Sequence, residues 1–189
     1  MKVGVIGMQG AVSEHMHIVE KMGHGSVWVK KPGQLKDVSA LIIPGGESTT
    51  ISKLMVKADL FMRVRELGLN GFPIFGTCAG LILLAKKGGA QAEKTGQKLL
   101  GLMDIEVSRN AFGGQRESFE KTIDIGTIAK FPCVFIRAPA IKRVWGGSKA
   151  LAEFNGTIVA AEQKCLLATS FHPELTEDTR VHEYFFSKV

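Results

Sequence analysis

The chain has 189 residues, of which 45% are hydrophobic and 22% are charged, and its net charge is +6. This composition is typical of a globular protein, and the length predicts a single domain over residues 1–189. The 24 Lys and Arg residues are scattered without a basic block, so we expect no nucleic-acid partner. No apolar run reaches the ~18 residues that span a bilayer, so we expect no membrane partner either.

The cysteine pattern argues against both a disulfide framework and a metal site. Cys78, Cys133 and Cys165 form no CxxC pair and have no spacing typical of metal ligands. We therefore expect no metal and no cofactor. An odd number of cysteines suits a reducing environment, which predicts a cytoplasmic location. Cys133 and Cys165 lie in apolar runs and resemble small core residues.

Strand-like and helix-like segments alternate through the first half of the chain. Short apolar runs predict strands at residues 2–7, 26–29, 40–43 and 74–76. Apolar residues at helical spacing predict helices at 11–22, 49–67 and 79–86. This alternation predicts an α/β fold in three layers, with a mostly parallel central sheet and helices on both faces.

The pattern changes after residues 88–98, a polar, glycine-rich stretch that we interpret as a surface connection. Short strands are predicted at 103–108, 118–125, 133–137, 150–154, 157–161 and 166–170. Asn155-Gly156 between two of them is a strong hairpin signal, so this part of the sheet is expected to be partly antiparallel. Residues 176–178 are expected to cap a last helix that runs to about residue 187.

One cysteine has a setting that folding alone does not explain. In Gly76-Thr77-Cys78-Ala79-Gly80, Cys78 lies in a tight turn between a buried strand and a helix. This is the cysteine version of a nucleophile elbow, in which the turn exposes the nucleophile at the edge of the sheet. The N-terminus of the following helix favours a thiolate there.

Four loops should meet at this edge, because parallel sheets bind ligands at the carboxyl ends of their strands. They are residues 8–10, 44–48, 76–78 and 171–174. The last loop offers His172 as a base for Cys78, and Glu174 as the carboxylate that fixes the imidazole tautomer. The Ala79 N–H and the Gly45-Gly46 turn offer donors for an oxyanion.

Each motif taken alone also fits an ordinary turn, loop or helix cap, and only their combination favours a cysteine-nucleophile enzyme. The other histidines carry no comparable pattern. His15 and His17 lie on a predicted helix, where a structural or solvated role is expected. His24 and His182 have no partner pattern, and the sequence assigns them no role.

The elbow together with His172-Pro173-Glu174 resembles the class I, or triad, glutamine amidotransferases, whose flavodoxin-like fold agrees with the predicted one. Further segments are similar to one branch, the glutaminase subunits of pyridoxal 5′-phosphate synthase. They are residues 4–12, 41–50, 109–113, 135–139 and 170–178. The resemblance thus extends from the first strand to the last helix.

This resemblance implies roles for individual residues. The implied catalytic triad is Cys78, His172 and Glu174. The implied oxyanion donors are Gly46 and Ala79. The implied substrate-binding residues are Gly46, Glu47, Ser48, Arg109, Ile136 and Arg137. An arginine suits the α-carboxylate of glutamine, although the sequence does not show which arginine binds it.

The resemblance also implies a reaction and a partner. A member of this family hydrolyses L-glutamine through a glutamyl thioester and passes ammonia to a separate synthase subunit within a large hetero-oligomer. One departure is Gly114, where arginine is common in the family, with Arg116 following it. The alternatives are another hydrolase with a cysteine elbow, such as a γ-glutamyl peptidase, and a non-catalytic regulatory subunit.

Overall fold

The computed structural model describes residues 1–109 and 118–189, so Gly114, Arg116 and the rest of segment 110–117 lie outside the described residues. The helices are α1 (Val12–Lys21), α2 (Ser48–Lys57), α3 (Leu60–Leu69), α4 (Ala79–Leu84), α5 (Gly89–Thr95) and α6 (Arg180–Phe186). The strands are β1 (Lys2–Ile6), β2 (Gly25–Val29), β3 (Ala40–Ile43), β4 (Ile74–Thr77), β5 (Ala85–Lys87), β6 (Met103–Ser108), β7 (Phe119–Ile125), β8 (Ile128–Phe135), β9 (Ala140–Val144), β10 (Lys149–Phe154), β11 (Thr157–Gln163) and β12 (Leu166–Thr169). Short 3₁₀ helices cover Pro32–Asp37 and Pro173–Leu175.

The main sheet has a parallel half and a largely antiparallel half. Its strand order is β2-β1-β3-β4-β12-β11-β9-β6-β5, and β10 pairs with β11 at the side. The strands from β2 to β12 in this order are all parallel. The neighbours from β12 to β6 are antiparallel, and β5 is parallel to β6. The predicted α/β class, with its antiparallel extension, is confirmed.

Alternate residues of the buried strands point into two separate hydrophobic cores, one on each face of the sheet, which explains the three layers. On β3, Leu41 and Ile43 pack against α2, α3 and α4 on one face. Ala40 and Ile42 point to the other face, where α1, α6 and β8 cover them. Because side chains of a strand alternate between faces, a fully apolar strand requires a covering layer on both sides.

The strands β7 and β8 do not join the main sheet as the sequence pattern suggested. They form a separate two-stranded antiparallel ribbon. Phe131, Cys133 and Phe135 of β8 are fully buried in the core beneath the ribbon. The helical layer on that face is therefore completed by a β-ribbon, and β8 begins earlier than the predicted residue 133.

The predicted helix over 49–67 is wrong in one respect, because the chain forms two helices there. α2 ends at Lys57 and α3 begins at Leu60, with Asp59 between them at φ 57°. Aspartate tolerates this left-handed conformation better than most residues, and the break lets both helices pack on one core. Similarly, α4 ends at Leu84 rather than at 86, where the chain enters β5.

Two further elements and one boundary differ from the sequence prediction. The stretch 88–98 contains the helix α5. The strand β9 was missed, because Lys142 and Arg143 interrupt the apolar alternation that marks a strand. The last helix begins at Arg180, whose N–H donates to Asp178 Oδ1, and not directly after residues 176–178. The Asn155-Gly156 hairpin is confirmed, with both residues at positive φ.

Both glycines of the elbow lie where the backbone leaves no space for a side chain. A Cβ on Gly80 would overlap the carbonyl oxygen of Ile43 on β3, and one on Gly76 would lie 2.5 Å from the carbonyl carbon of Gly80. The spacing Gly-x-Cys-x-Gly thus permits α4 to pack closely on its own strand and on the neighbouring one. No helix in the described parts of the chain is long and apolar enough to cross a bilayer.

Gly80→Ala is expected to lower the free energy of unfolding by about 1–3 kcal/mol, because the added methyl group displaces β3 from α4. Chemical denaturation measures this loss. Gly33→Ala is the matched control, since Gly33 has open space around its Cα, and it should change stability by less than about 0.5 kcal/mol. Equal stability of the two variants would contradict the packing argument.

Candidate active site

Cys78 is held in a strained turn at the end of β4. Its backbone has φ 49° and ψ −96°, a conformation that non-glycine residues rarely adopt. Its N–H donates to the carbonyl oxygen of Thr169 on β12 over 2.8 Å, and its own carbonyl accepts from Ile82 on α4. The turn is thus fixed on both sides, and Cys78 is 8% exposed at the start of the helix.

His172 follows β12, the strand next to β4, and lies beside Cys78. Its N–H donates to the carbonyl oxygen of Val134 on β8 over 2.8 Å, which fixes the loop. Its ring Nδ1 lies 2.7 Å from Glu174 Oε1, so Nδ1–H donates to the carboxylate. The other ring nitrogen is then available for the hydrogen bond with Cys78.

Electrostatics favour a charged imidazole at this position. Burial lowers the pKa of His172, but the hydrogen bonds with Cys78 and Glu174 outweigh burial and raise the pKa to about 10. Burial likewise raises the pKa of Glu174, and the neighbouring histidines more than reverse this, so the pKa ends below its usual value. At neutral pH the ionised Glu174 therefore faces a protonated His172.

Two further histidines lie behind Glu174, and sequence reasoning missed them. His15 Nε2 lies 3.4 Å from Glu174 Oε2 and 3.1 Å from Thr77 Oγ1. His15 Nδ1 lies 3.3 Å from His182 Nε2. Both histidines are fully buried, and no local sequence pattern marks them, since the contacts join α1 and α6 to β4.

A cleft of about 540 Å³ opens over Cys78, a size typical of small-molecule sites. The four loops that were expected to meet do line it, together with the loops after β6 and β8. Apart from Glu174, which is buried behind His172, every residue singled out by the sequence lies in its wall: Cys78, Ala79, Gly46, Glu47, Ser48, Arg109, Ile136, Arg137 and His172.

One wall of the cleft consists of glycine backbone. A Cβ on Gly45 would overlap His172 Cε1, so the peptide chain packs directly on the imidazole. A Cβ on Gly10 would overlap the Gly45 carbonyl oxygen, which accepts from the Ala11 N–H over 3.1 Å. The loops after β1 and β3 can therefore approach each other and His172 only because these positions are glycines.

Glu47 caps α2 as well as lining the cleft. Its carboxylate accepts from the N–H groups of Thr49 and Thr50 at 3.1 and 2.6 Å. Burial raises the pKa of Glu47, but these hydrogen bonds prevail and lower it. The Glu47 N–H donates to Gln9 Oε1 over 2.8 Å, which ties the loop after β1 to the start of α2.

Arg109 is anchored above the start of α2. Its Nη2 donates to Ser48 Oγ, to Thr49 Oγ1 at 3.1 Å and to Gln97 Oε1 at 2.5 Å. Its Nη1 lies 3.7 Å from Glu47 Oε1. Gln97 belongs to the stretch interpreted as a surface connection, and its part in holding Arg109 depends on a contact that no sequence motif indicates.

The chain matches the model of the SNO glutamine amidotransferase family over residues 5–189. The chain belongs to this family. The family resemblance derived from the elbow and the His-Pro-Glu motif is thereby confirmed.

Relatives of this glutamine amidotransferase match along the whole chain. A protein of Pelotomaculum thermopropionicum, named pyridoxal 5′-phosphate synthase subunit PdxT, is 53% identical over 190 residues, which cover 100% of this chain and 95% of that protein. A protein of Methanosarcina mazei with the same name is 48% identical over 196 residues, covering 100% of this chain and 98% of that protein.

Solved structures agree with this assignment. A crystal structure of a glutamine amidotransferase has a TM-score of 0.93 at 43% identity and covers 98% of this chain and 97% of that one. The structure of PurLQS from Thermotoga maritima has a TM-score of 0.65 at 14% identity and covers 99% and 96% of the two chains. The latter likeness concerns the fold alone.

His172 is expected to titrate near pH 10 instead of near 6.5. In Cys78→Ser the midpoint should fall, because the hydroxyl does not provide the negative partner that stabilises the imidazolium. Nitrogen-15 NMR of the imidazole measures both midpoints. Cys165→Ser is the control and should leave the midpoint in place. A wild-type midpoint near 6.5 would contradict the charged His172.

Proposed function

We propose that this glutamine amidotransferase is the glutaminase subunit of a pyridoxal 5′-phosphate synthase, and that Cys78, His172 and Glu174 are its catalytic triad. The observation that carries the proposal is that Cys78 and His172 line one small-molecule cleft together, with Glu174 Oε1 2.7 Å behind the His172 ring. In a glutamine amidotransferase, this arrangement suits attack on the side-chain amide of L-glutamine.

The reaction proceeds in two halves. The Cys78 thiolate attacks the amide carbon, the resulting oxyanion collapses, and the C–N bond breaks as His172 gives its proton to the departing nitrogen, which leaves as ammonia. A glutamyl thioester remains on Cys78. His172 then takes a proton from water, the resulting hydroxide attacks the thioester, and glutamate leaves as the Cys78 thiolate forms again.

The oxyanion of each tetrahedral intermediate needs fixed donors, and we assign the N–H groups of Ala79 and Gly46 to this role. Ala79 is the first residue of α4 and directly follows the nucleophile, which is the usual position of such a donor. Gly46 lines the same cleft. The next N–H along this loop, that of Glu47, is already used by Gln9.

Glutamine binding is assigned to the remaining cleft residues. Gly46, Ile136 and Arg137 form part of the wall, as do Glu47 and Ser48 at the start of α2. Arg109 suits the α-carboxylate, because Ser48 and Thr49 already hold its guanidinium in place over the cleft. The Glu47 carboxylate, whose pKa is lowered, suits the α-ammonium group of the same substrate.

The ammonia produced at Cys78 has to reach a second active site, and we assign that site to a separate synthase subunit in a large hetero-oligomer. Relatives along the full chain are named as subunits of pyridoxal 5′-phosphate synthase, which supports this partner. The chain would act as one domain over residues 1–189. The cysteine pattern favours the cytoplasm as its location.

The purified chain is expected to release glutamate from L-glutamine, and the rate should rise when a synthase subunit is added. Cys78→Ala should lower kcat by at least about a thousandfold, because the nucleophile is lost. Cys165→Ala should keep wild-type activity, since Cys165 lies outside the cleft. Glutamate release by each variant, with and without the synthase subunit, measures these effects.

Near-wild-type turnover by Cys78→Ala would remove Cys78 from the nucleophile role. Folded wild-type chain that releases no glutamate under either condition would contradict the glutaminase assignment. In that case, glutamate release from γ-glutamyl peptides would separate the peptidase alternative from a regulatory subunit.

Arg109→Met is expected to raise KM for glutamine about 10- to 100-fold with a much smaller change in kcat, because the charged hydrogen bonds to the α-carboxylate are lost in ground and transition state alike. Steady-state kinetics measures both constants. Arg143→Met is the control, since Arg143 pairs with Glu106 away from the cleft. An unchanged KM in Arg109→Met would move the carboxylate site to Arg137.

A further inference from the structure

Cys78, His172 and Glu174 form a row of polar groups, and this row continues beyond Glu174. His15 on α1 and His182 on α6 continue it into a region packed with aromatic rings. The ring of Phe75 stands edge-on to both, with centroids 6.3 Å from His15 and 5.6 Å from His182. Both imidazoles are 0% exposed. The two rings are therefore fixed in orientation by packing rather than by water.

The two carboxylate oxygens of Glu174 have different surroundings, and the second one depends on the imidazole of His15. Its Oε1 is satisfied by His172 at 2.7 Å. Its Oε2 accepts no well-aligned hydrogen bond in the described part of the chain, and His15 Nε2 faces it at 3.4 Å. A buried carboxylate oxygen without a donor is costly, so the ionised form of Glu174 relies on the edge of the His15 ring.

The contacts determine which His15 nitrogen carries the proton. A bare Nε2 would direct its lone pair at the carboxylate of Glu174, so the proton belongs on Nε2, where it is shared between Thr77 Oγ1 and Glu174. His15 Nδ1 is then the acceptor for His182 Nε2–H. This leaves His182 Nδ1 as a buried acceptor with no partner among the described residues, which costs less than an unpaired donor.

We propose that His15 is a positioning residue of the glutaminase reaction, whose Nε2–H orients Thr77 beside the nucleophile and holds Glu174 ionised behind His172. This inference rests on the proposed function. His15 touches neither substrate nor reacting atoms and acts through Glu174. His182 fixes the tautomer of His15 by donating to its Nδ1.

The charges around His15 agree with a neutral, donating imidazole. Burial lowers the pKa of His15, and the charge of His172 lowers it further. The negative charges of Glu174 and of Glu14, on the same helix, raise it, but the lowering effects prevail. Burial and His15 lower the pKa of His182 to about 3, against the opposing charge of Glu174. Burial thus favours the neutral form of both rings, and the charges in the row lie on Glu174 and His172.

The experiment compares two amide substitutions of His15, each of which keeps a polar group at the position of one ring nitrogen. The amide of His15→Gln reaches the place of Nε2 and retains a donor for Glu174 and Thr77. The amide of His15→Asn reaches only the place of Nδ1 and retains the contact with His182. Glutamate release by each variant is measured with the synthase subunit present, as a function of glutamine concentration and of pH.

His15→Asn is expected to lower kcat about tenfold with little change in KM, because the Nε2–H that faces the charged Glu174 behind His172 is lost. The acidic limb of its pH–rate profile should move to higher pH, because Glu174 without the Nε2–H beside it takes up a proton at a higher pH. His15→Gln should stay within about threefold of wild type and keep the wild-type limb. His17→Asn, an exposed site on the same helix, should behave as wild type.

Equal losses in His15→Asn and His15→Gln with an unchanged pH profile would overturn the proposal and leave His15 a packing residue. Wild-type kinetics in His15→Asn would overturn it as well. If neither variant folds, nitrogen-15 NMR of the wild-type protein decides: a proton on His15 Nε2 supports the proposal, and one on Nδ1 overturns it. An inactive wild-type complex would instead be a failure of the proposed function.

Discussion

The parallel pairing of β4 with β12 is the constraint on which the site depends. Thr77 pairs with Thr169 at the ends of these strands, and the Cys78 N–H continues the ladder to the Thr169 carbonyl. Neighbouring strands lie about 4.8 Å apart, so the backbone itself sets the distance between the loop that carries Cys78 and the loop that carries His172. The loops after β3 and β1, the next strands in the sheet, then add the glycine wall of the cleft beside His172.

Next to these two strands, the protein holds the ionised side chains of His172 and Glu174 in its buried interior. Burial alone would leave both His172 and Glu174 neutral, and only their mutual contact and their outer neighbours reverse this. Buried ion pairs rarely stabilise a fold more than well-packed apolar groups of the same volume would. The proposed catalytic role accounts for this buried charge where fold stability does not, and the apolar packing of Phe75 and the surrounding strands offsets its cost.

Part of the fold and of the candidate site could be predicted from local sequence features. The elbow around Cys78 could be identified from sequence, because its glycines are required by contacts with adjacent backbone that any such turn makes. The helix break at Asp59 could not, since the apolar spacing continues across it and only the shared core requires the turn. His15 and Gln97 were missed for the same kind of reason: their partners come from distant elements, and a lone polar residue on an amphipathic helix or in a polar stretch has no pattern of its own.

The glycine backbone against His172 has a consequence for redesign of the enzyme. At positions 10 and 45 any side chain would collide with the site itself, so neither position can be varied. Another side of the cleft, at Arg109, Ile136 and Arg137, is lined by side chains instead. Mutant libraries designed to accept a longer or differently charged amide substrate should therefore vary the residues on that side alone. Sequence differences among homologous enzymes with an altered substrate range should be concentrated there too.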